Sequence, residues 1–183
     1  MGPLRKVILP KCGLQRRLPG KLLYGPVEAR GLGAKDPCWL QLILHLHAIL
    51  RHCHRDTPSA DLLDANMDLV QAYVGSDQSF WDLPFEMYGH LAPDGWIKHT
   101  WRGLSESGLR LKGQNLAVLA KRTNDVHLMD AFVDQGFDED RLSTLQRCRM
   151  WCGADTLADV STACGHRIDQ AVWEGKPMAS RTR

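Results

Sequence analysis

Residues 124–153 read NDVHLMDAFVDQGFDEDRLSTLQRCRMWCG, and two helices can be read from them before anything else in the chain is considered. Asn124 offers a side-chain cap, Val126, Met129, Phe132 and Val133 follow at three- and four-residue spacing, and Gly136 supplies a stop. Asp138 then caps a second helix. Phe137 just before it and Leu142 four positions in form a hydrophobic staple that sets the entry angle of the chain. Leu142, Leu145, Cys148 and Cys152 lie along its apolar side, and Gly153 closes it.

The same periodicity extends outward in both directions. Residues 38–51 are apolar on nearly every face, which predicts a buried helix with Pro37 in its first turn and Arg51 near its last. Ser59 can cap a helix over 60–74, with Leu62, Leu63, Leu69, Val70, Tyr73 and Val74 as its stripe and Gly75 as its end. Residues 80–90 form a short aromatic segment broken by Pro84 and Gly89. Asp94 offers a cap to a helix that carries Trp96, Ile97, Thr100, Trp101 and Leu104 on one face and ends by Gly108. Residues 109–120 are ambiguous, since Leu109 and Leu111 alternate as an extended piece would. Thr156 with Asp159 opens a short last helix. No βαβ alternation, internal repeat or low-complexity run interrupts this pattern. A mainly α fold follows: an irregular helical domain over 38–175, preceded by a basic Pro/Gly-rich arm over 1–37 and followed by a loose tail over 176–183.

The arm differs from the rest in charge as well as in backbone. The first 35 residues hold eight basic side chains and one acidic one, a local charge of +7 in a chain whose total is +2. The remainder is therefore net acidic. Such a concentration attracts polyanions through Coulomb steering and counterion release, and Lys11, Arg16, Arg17 and Lys21 are the candidate phosphate contacts. Prolines and glycines exclude a long helix there and leave loops with a turn of helix or a short strand around 21–24. Arg147 and Arg149 beside Trp151 form a second set, able to grip a backbone and stack a base. A core tryptophan flanked by solvated arginines is the plainer account of that set.

Catalytic and metal-binding patterns are sparse. His45, His47, His52 and His54 surround Cys53, but residues two apart on a helix point about 200° apart, so His45 and His47 cannot chelate one ion. Cys148 and Cys152 share a helical face without the close-set knuckle of a structural zinc site, so they are expected as small core residues. Phosphate-loop, Gly-x-Ser-x-Gly and His-Glu-x-x-His patterns are all missing. The carboxylates at 125–140 are expected as caps and solvated faces, and no Asp-Asp pair occurs anywhere for two-metal chemistry. These readings predict no catalysis, no metal and no cofactor in this chain. No apolar run reaches the length of about 20 residues that a bilayer requires, and no cleavable leader pattern is present, so the expectation is an intracellular protein, nuclear or cytoplasmic. The six thiols are expected to be reduced.

In order, the motifs resemble the region that follows the polymerase domain in retrotransposon reverse-transcriptase polyproteins of algae, other protists and fungi. The resemblance rests on Leu9-Pro10-Lys11-Cys12-Gly13-Leu14, Arg16, Pro19, Tyr24-Gly25-Pro26 and Gly31-Leu32-Gly33. It continues through Leu50-Arg51-His52, Asn124-Asp125-Val126 with Leu128-Met129-Asp130, Arg147-Cys148-Arg149, and Thr156-Leu157-Ala158-Asp159-Val160. Arg30 stands where that family tends to carry the first glycine of a turn, and Ala34 where an apolar residue is usual. The resemblance implies an RNA-directed DNA polymerase as the parent protein, with this chain as a non-catalytic, thumb- or connection-like piece supporting an RNA or DNA template–primer. An upstream polymerase domain is then an implied protein partner. A structural interaction module, with Trp81, Trp96 and Trp101 anchoring a partner such as that polymerase domain, or a remnant of a decayed element, is the alternative. Neither a small-molecule substrate nor a membrane partner is implied.

Overall fold

Among the described residues helices joined by turns and loops predominate and no sheet forms, as the apolar periodicity predicts. The computed structural model describes residues 7, 9–15, 18–53, 55–111, 122, 125–162 and 164–174. Nine α-helices lie among them: α1 Gly20–Tyr24, α2 Pro37–His52, α3 Pro58–Val74, α4 Phe85–Tyr88, α5 Trp96–Ser107, α6 Leu128–Asp134, α7 Glu139–Cys152, α8 Leu157–Val160 and α9 Gln170–Trp173. Two compact units divide between Leu44 and His45, inside α2. The tail over 176–183, most of 109–120 and Asn124 itself lie outside the described residues, but the helix that Asn124 is expected to cap begins only at Leu128, with His127 as the preceding residue and no side-chain cap.

In the first unit the arm is ordered by its backbone. α1 is the turn of helix anticipated at 21–24. After Gly25-Pro26 and a 3-10 turn at Val27–Ala29, the chain doubles back along it. Leu32, Gly33 and Ala34 donate their N–H groups to the carbonyls of Leu22, Gly25 and Leu23 at 2.8, 2.9 and 3.0 Å, so the carbonyls at the end of α1 are satisfied. The approach is so close that a Cβ on Gly31 would sit 2.1 Å from the Gly25 carbonyl oxygen. Arg30 reverses the chain at φ 60° and ψ 22°, and it is the one described non-glycine residue in the left-handed region. Glycine adopts this conformation most readily, so holding Arg30 in it costs about 1 kcal/mol.

In the second unit, α3 and α4 both pack against α5, and α6 packs against α7. Thr57, not Ser59, caps α3. Its Oγ1 accepts the Ala60 N–H at 3.3 Å, because Pro58 takes the first helical position and moves the start back by two residues. Asp94 likewise does not cap α5, whose preceding residue is Gly95. Asp94 instead pairs with Lys98 one turn on, at 3.0 Å. The Asp138 cap and the Thr156–Asp159 capping box form as expected. The α5 stripe of Ile97, Thr100, Trp101 and Leu104 is buried. Trp101 meets Phe80 and Phe85 edge-on at 5.4 and 5.0 Å and donates its indole N–H to the Leu83 carbonyl.

Two polar side chains, the buried Gln71 and the half-buried Asp130, join these elements. Gln71 bonds the Ser76 and Gln78 carbonyls through Nε2 and accepts the Phe80 N–H through Oε1, pinning the loop after α3. Asp130 on α6 accepts from Ser76 Oγ, the Asp77 N–H and Tyr88 Oη, at 2.9 to 3.1 Å. Burial, then the hydrogen bond to Asp130, pushes the Tyr88 phenol well above its ordinary value. Asp130 is thus a structural acceptor rather than a solvated carboxylate.

Several inward faces differ from the periodic reading. In α3 Leu62 and Leu69 are exposed while Ala60, Leu63, Met67, Val70 and Val74 are buried. Val126 is exposed, and the inward side of α6 is Met129 and Val133. In α7 Leu142, Gln146 and Arg149 point inward, whereas Cys148 is exposed. The largest difference is α2. Only Leu42 and Ile49 are buried on it. Trp39, Leu40, Ile43, Leu44 and Leu50 are between 42 and 67% exposed, so the expected all-round burial is replaced by one covered side and one open side. An all-apolar pattern cannot say which side finds no cover.

Candidate nucleic-acid interface

The candidate phosphate contacts fall into two groups by position. In the arm, Lys11 and Lys21 are both exposed, with Lys21 on the first turn of α1. The hydrogen bonds of Cys12, Gly13 and Leu14 to the Leu9 and Pro10 carbonyls hold the chain turned just after Lys11, with Gly13 at φ 72°. Arg16 and Arg17 lie outside the described residues. Arg30 and Lys35 add exposed cations to the same unit.

On α7 the two arginines separate completely. Arg147 is exposed, held over its own helix by the Ser143 carbonyl and Thr144 Oγ1, both at 3.4 Å. Trp151, one turn further on the same face, is 69% exposed. Arg149 is two residues from Arg147 and therefore faces inward, with only 4% of its surface accessible. Its guanidinium pairs with Asp155 and donates to the carbonyls of Ala72 and Tyr73, the last turn of α3. A positive charge there also faces the negative end of the α3 dipole. Gly75 admits the fork: a Cβ on it would lie 2.7 Å from the guanidinium carbon. Burial lowers the affinity of Arg149 for its proton, and Asp155 opposes that. Arg149 thus leaves the candidate phosphate set, because its side chain is buried and both terminal nitrogens are taken up inside the fold. The plainer account of this set is half right: one arginine is solvated, but the tryptophan is outside and the other arginine is the core residue.

The tryptophan anchors are likewise redistributed. Trp81 and Trp101 are 4 and 1% exposed and belong to the core, which leaves Trp96 at 38%, with the His45 ring against it at 5.2 Å. Among the tryptophans whose side chains are described, Trp39 and Trp151 are the open ones, at 52 and 69%. Neither was distinguishable by periodicity, since each sits on a helix whose pattern is apolar or polar almost all round.

Among the described residues no three His, Cys, Asp or Glu side chains gather as a metal site, no two cysteines are bridged, and no helix is long and apolar enough to cross a membrane. His47 is exposed and His45 turns toward α5, where its Nδ1 lies 2.9 Å from Thr100 Oγ1. The Thr100 hydroxyl already donates to the Trp96 carbonyl, so His45 Nδ1 is the donor. Desolvation, then His99, lowers the His45 pKa. Desolvation also lowers that of His90, whose two ring nitrogens are buried without partners. Both groups are therefore favoured neutral in the fold. Stability is retained above the ordinary histidine value near 6.5 and is lost as pH falls below it, where the unfolded chain binds more protons. Thermal melts should show a lower Tm at pH 5.5 than at pH 7.5, with the difference reduced in His45→Gln. A Tm that is flat or rises on acidification contradicts this.

Comparison with family models, curated proteins and solved structures returns no match for this chain.

Proposed function

We propose that the chain is a non-catalytic, C-terminal piece of a retrotransposon reverse transcriptase, whose basic arm supports the template–primer held by the parent RNA-directed DNA polymerase. The observation that carries the reading is charge: +7 over the first 35 residues, against a net acidic remainder. Its motive is strengthened by the order of sequence blocks from Leu9 to Val160 that resemble that family. The exposure of Lys11 and Lys21, with Arg147 beside Trp151 as a separate stacking pair, is compatible with backbone contact. The reading assigns no polymerase chemistry to this chain, since the sequence holds no Asp-Asp pair.

About four phosphate contacts give a log–log salt slope near −3 to −4 for binding a primer–template duplex. Fluorescence anisotropy across a salt series measures it. Replacing Lys11 and Lys21 together by Ala should flatten the slope by about two, one unit per lost contact. Absence of binding at low salt, or a slope unchanged by that replacement, overturns the reading.

A second reading, a helical protein-interaction module, is favoured by one specific observation: the open apolar side of α2. Apolar side chains grouped on an exposed face are characteristic of surfaces that meet another protein. In the parent context the upstream polymerase domain is the partner this reading implies.

A further inference from the structure

An open groove of about 580 Å³ lies wholly within the first unit. Its apolar walls are Tyr24 at the end of α1, Pro26, and Trp39, Leu40 and Ile43 on the first turns of α2. The size falls inside the range of about 300–1,000 Å³ usual for sites that take a small planar group. The walls are held by backbone, since Leu32, Gly33 and Ala34 donate to the carbonyls of Leu22, Gly25 and Leu23 and so fix the chain that joins α1 to α2. Trp39 and Ile43 stand one turn apart on the same face, and the Trp39 ring is 52% exposed.

Charge surrounds this apolar space. The first unit runs to Leu44 and adds one acidic residue, Asp36, to the first 35, so its net charge is +6. Lys35 is exposed in the groove lining itself. Lys21 lies one turn before Tyr24 on α1, and Arg30 follows the 3-10 turn after Pro26; both are exposed. Asp36, the acidic member of the lining, is tied into the start of α2, where it accepts the Cys38 N–H at 2.9 Å.

We propose that this groove takes an unpaired base of single-stranded nucleic acid, stacked on Trp39, with the flanking phosphates drawn to Lys35 and Lys21. The inference rests on the reading of the arm as a template–primer contact and adds a strand preference to it. Charge and ring shape together select the occupant. A second first unit would bring the same +6 and be repelled, and a neutral apolar segment gains nothing from the cations. An acidic peptide meets the charge but leaves the indole without a planar partner. A single strand supplies both, because its phosphates alternate with bases whose faces are free to stack. In a duplex those faces are covered by neighbouring pairs, so only an unpaired template or overhang has a base to offer the groove.

Fluorescence anisotropy of the full 183-residue chain tests this at about 50 mM salt, with labelled oligothymidylate of about 12 nucleotides and a blunt duplex of the same length as probes. Trp39→Ala should weaken binding of the single strand about tenfold and binding of the duplex by less than about twofold, with an unchanged far-UV circular dichroism spectrum. Trp39→Phe, which keeps a stacking face, should stay within about threefold of wild type. An abasic oligomer of equal charge needs no variant and should bind the wild type about tenfold more weakly than oligothymidylate does. If the abasic oligomer binds as tightly, or Trp39→Ala leaves single-strand binding unchanged, the groove proposal is overturned; duplex binding that still depends on Lys11 and Lys21 then keeps the arm reading. Binding of neither probe overturns both. A polyglutamate of equal charge that displaces the single strand, and itself loses affinity in Trp39→Ala, assigns the groove to an acidic peptide and overturns the base.

Discussion

Replacing Arg149 by Ala should lower the unfolding free energy by about 2–4 kcal/mol, the cost of emptying a buried site and leaving its carbonyl acceptors without a donor. The side chain is 2% exposed, and its loss strands the Ala72 and Tyr73 carbonyls at the end of α3 together with the Asp155 carboxylate. For a chain of this length the change corresponds to a fall in Tm of about 10 °C, read by thermal melts. Arg149→Lys should recover only part of it, since an ammonium cannot reproduce the planar fork. Arg147→Ala, two residues away and exposed, should stay within about 0.5 kcal/mol of wild type. If the two alanine variants are equally stable, the inward placement of Arg149 is wrong. Both arginines lie in the Arg147-Cys148-Arg149 block, so this comparison also divides that block into one fold-determining residue and one surface residue.

Trp101→Ala should cost a similar amount, about 3–5 kcal/mol, through a large cavity and a lost indole hydrogen bond. Trp101 is 1% exposed, is wedged against Phe80 and Phe85, and is the donor to Leu83 that ties α5 to the segment before α4. Chemical denaturation should therefore show a sharply reduced midpoint. Trp39→Ala on the open side of α2 should instead leave stability within about 0.5 kcal/mol and act on single-strand binding. A Trp101→Ala protein as stable as wild type would remove α5 from the centre of the second unit. The contrast matters for function because sequence alone made Trp101 a candidate partner anchor, whereas its indole is already surrounded by its own chain.

How much of this was legible in the sequence depends on the kind of signal each element carries. Local signals read well. Asp138 and Thr156 with Asp159 cap as expected, since a cap is a hydrogen bond within three or four residues. Gly75, Gly108 and Gly153 end α3, α5 and α7 in the left-handed conformation that glycine tolerates. The cap of α3 was misplaced because Thr57 and Ser59 are both good caps and only the position of Pro58 decides between them.

Face assignments fared worse. α5 has a polar side to contrast with its apolar one, and its buried stripe came out correctly but for Trp96. α7 has Leu142 followed by Gln146 and Arg149 on its inward side, and no hydrophobicity pattern nominates an arginine for a core. What places it there is distant in sequence: carbonyls at the end of α3 and a glycine at position 75 that leaves room for the fork. Likewise Asp130 looked like one of several solvated carboxylates until Ser76, Asp77 and Tyr88 were brought to it.

By itself the sequence determined that the chain is mainly helical, where most helices begin and end, and that positive charge is concentrated in its first 35 residues. Those properties depend on backbone conformation, neighbouring side chains and residue count, all of which are local. Only the tertiary structure decided that Arg149 belongs inside, that Trp81 and Trp101 are core while Trp39 and Trp151 are open, and that α2 is covered on one side alone. Burial is a relation between segments far apart in the chain. An apolar helix states a demand for cover, and the rest of the fold decides which side receives it.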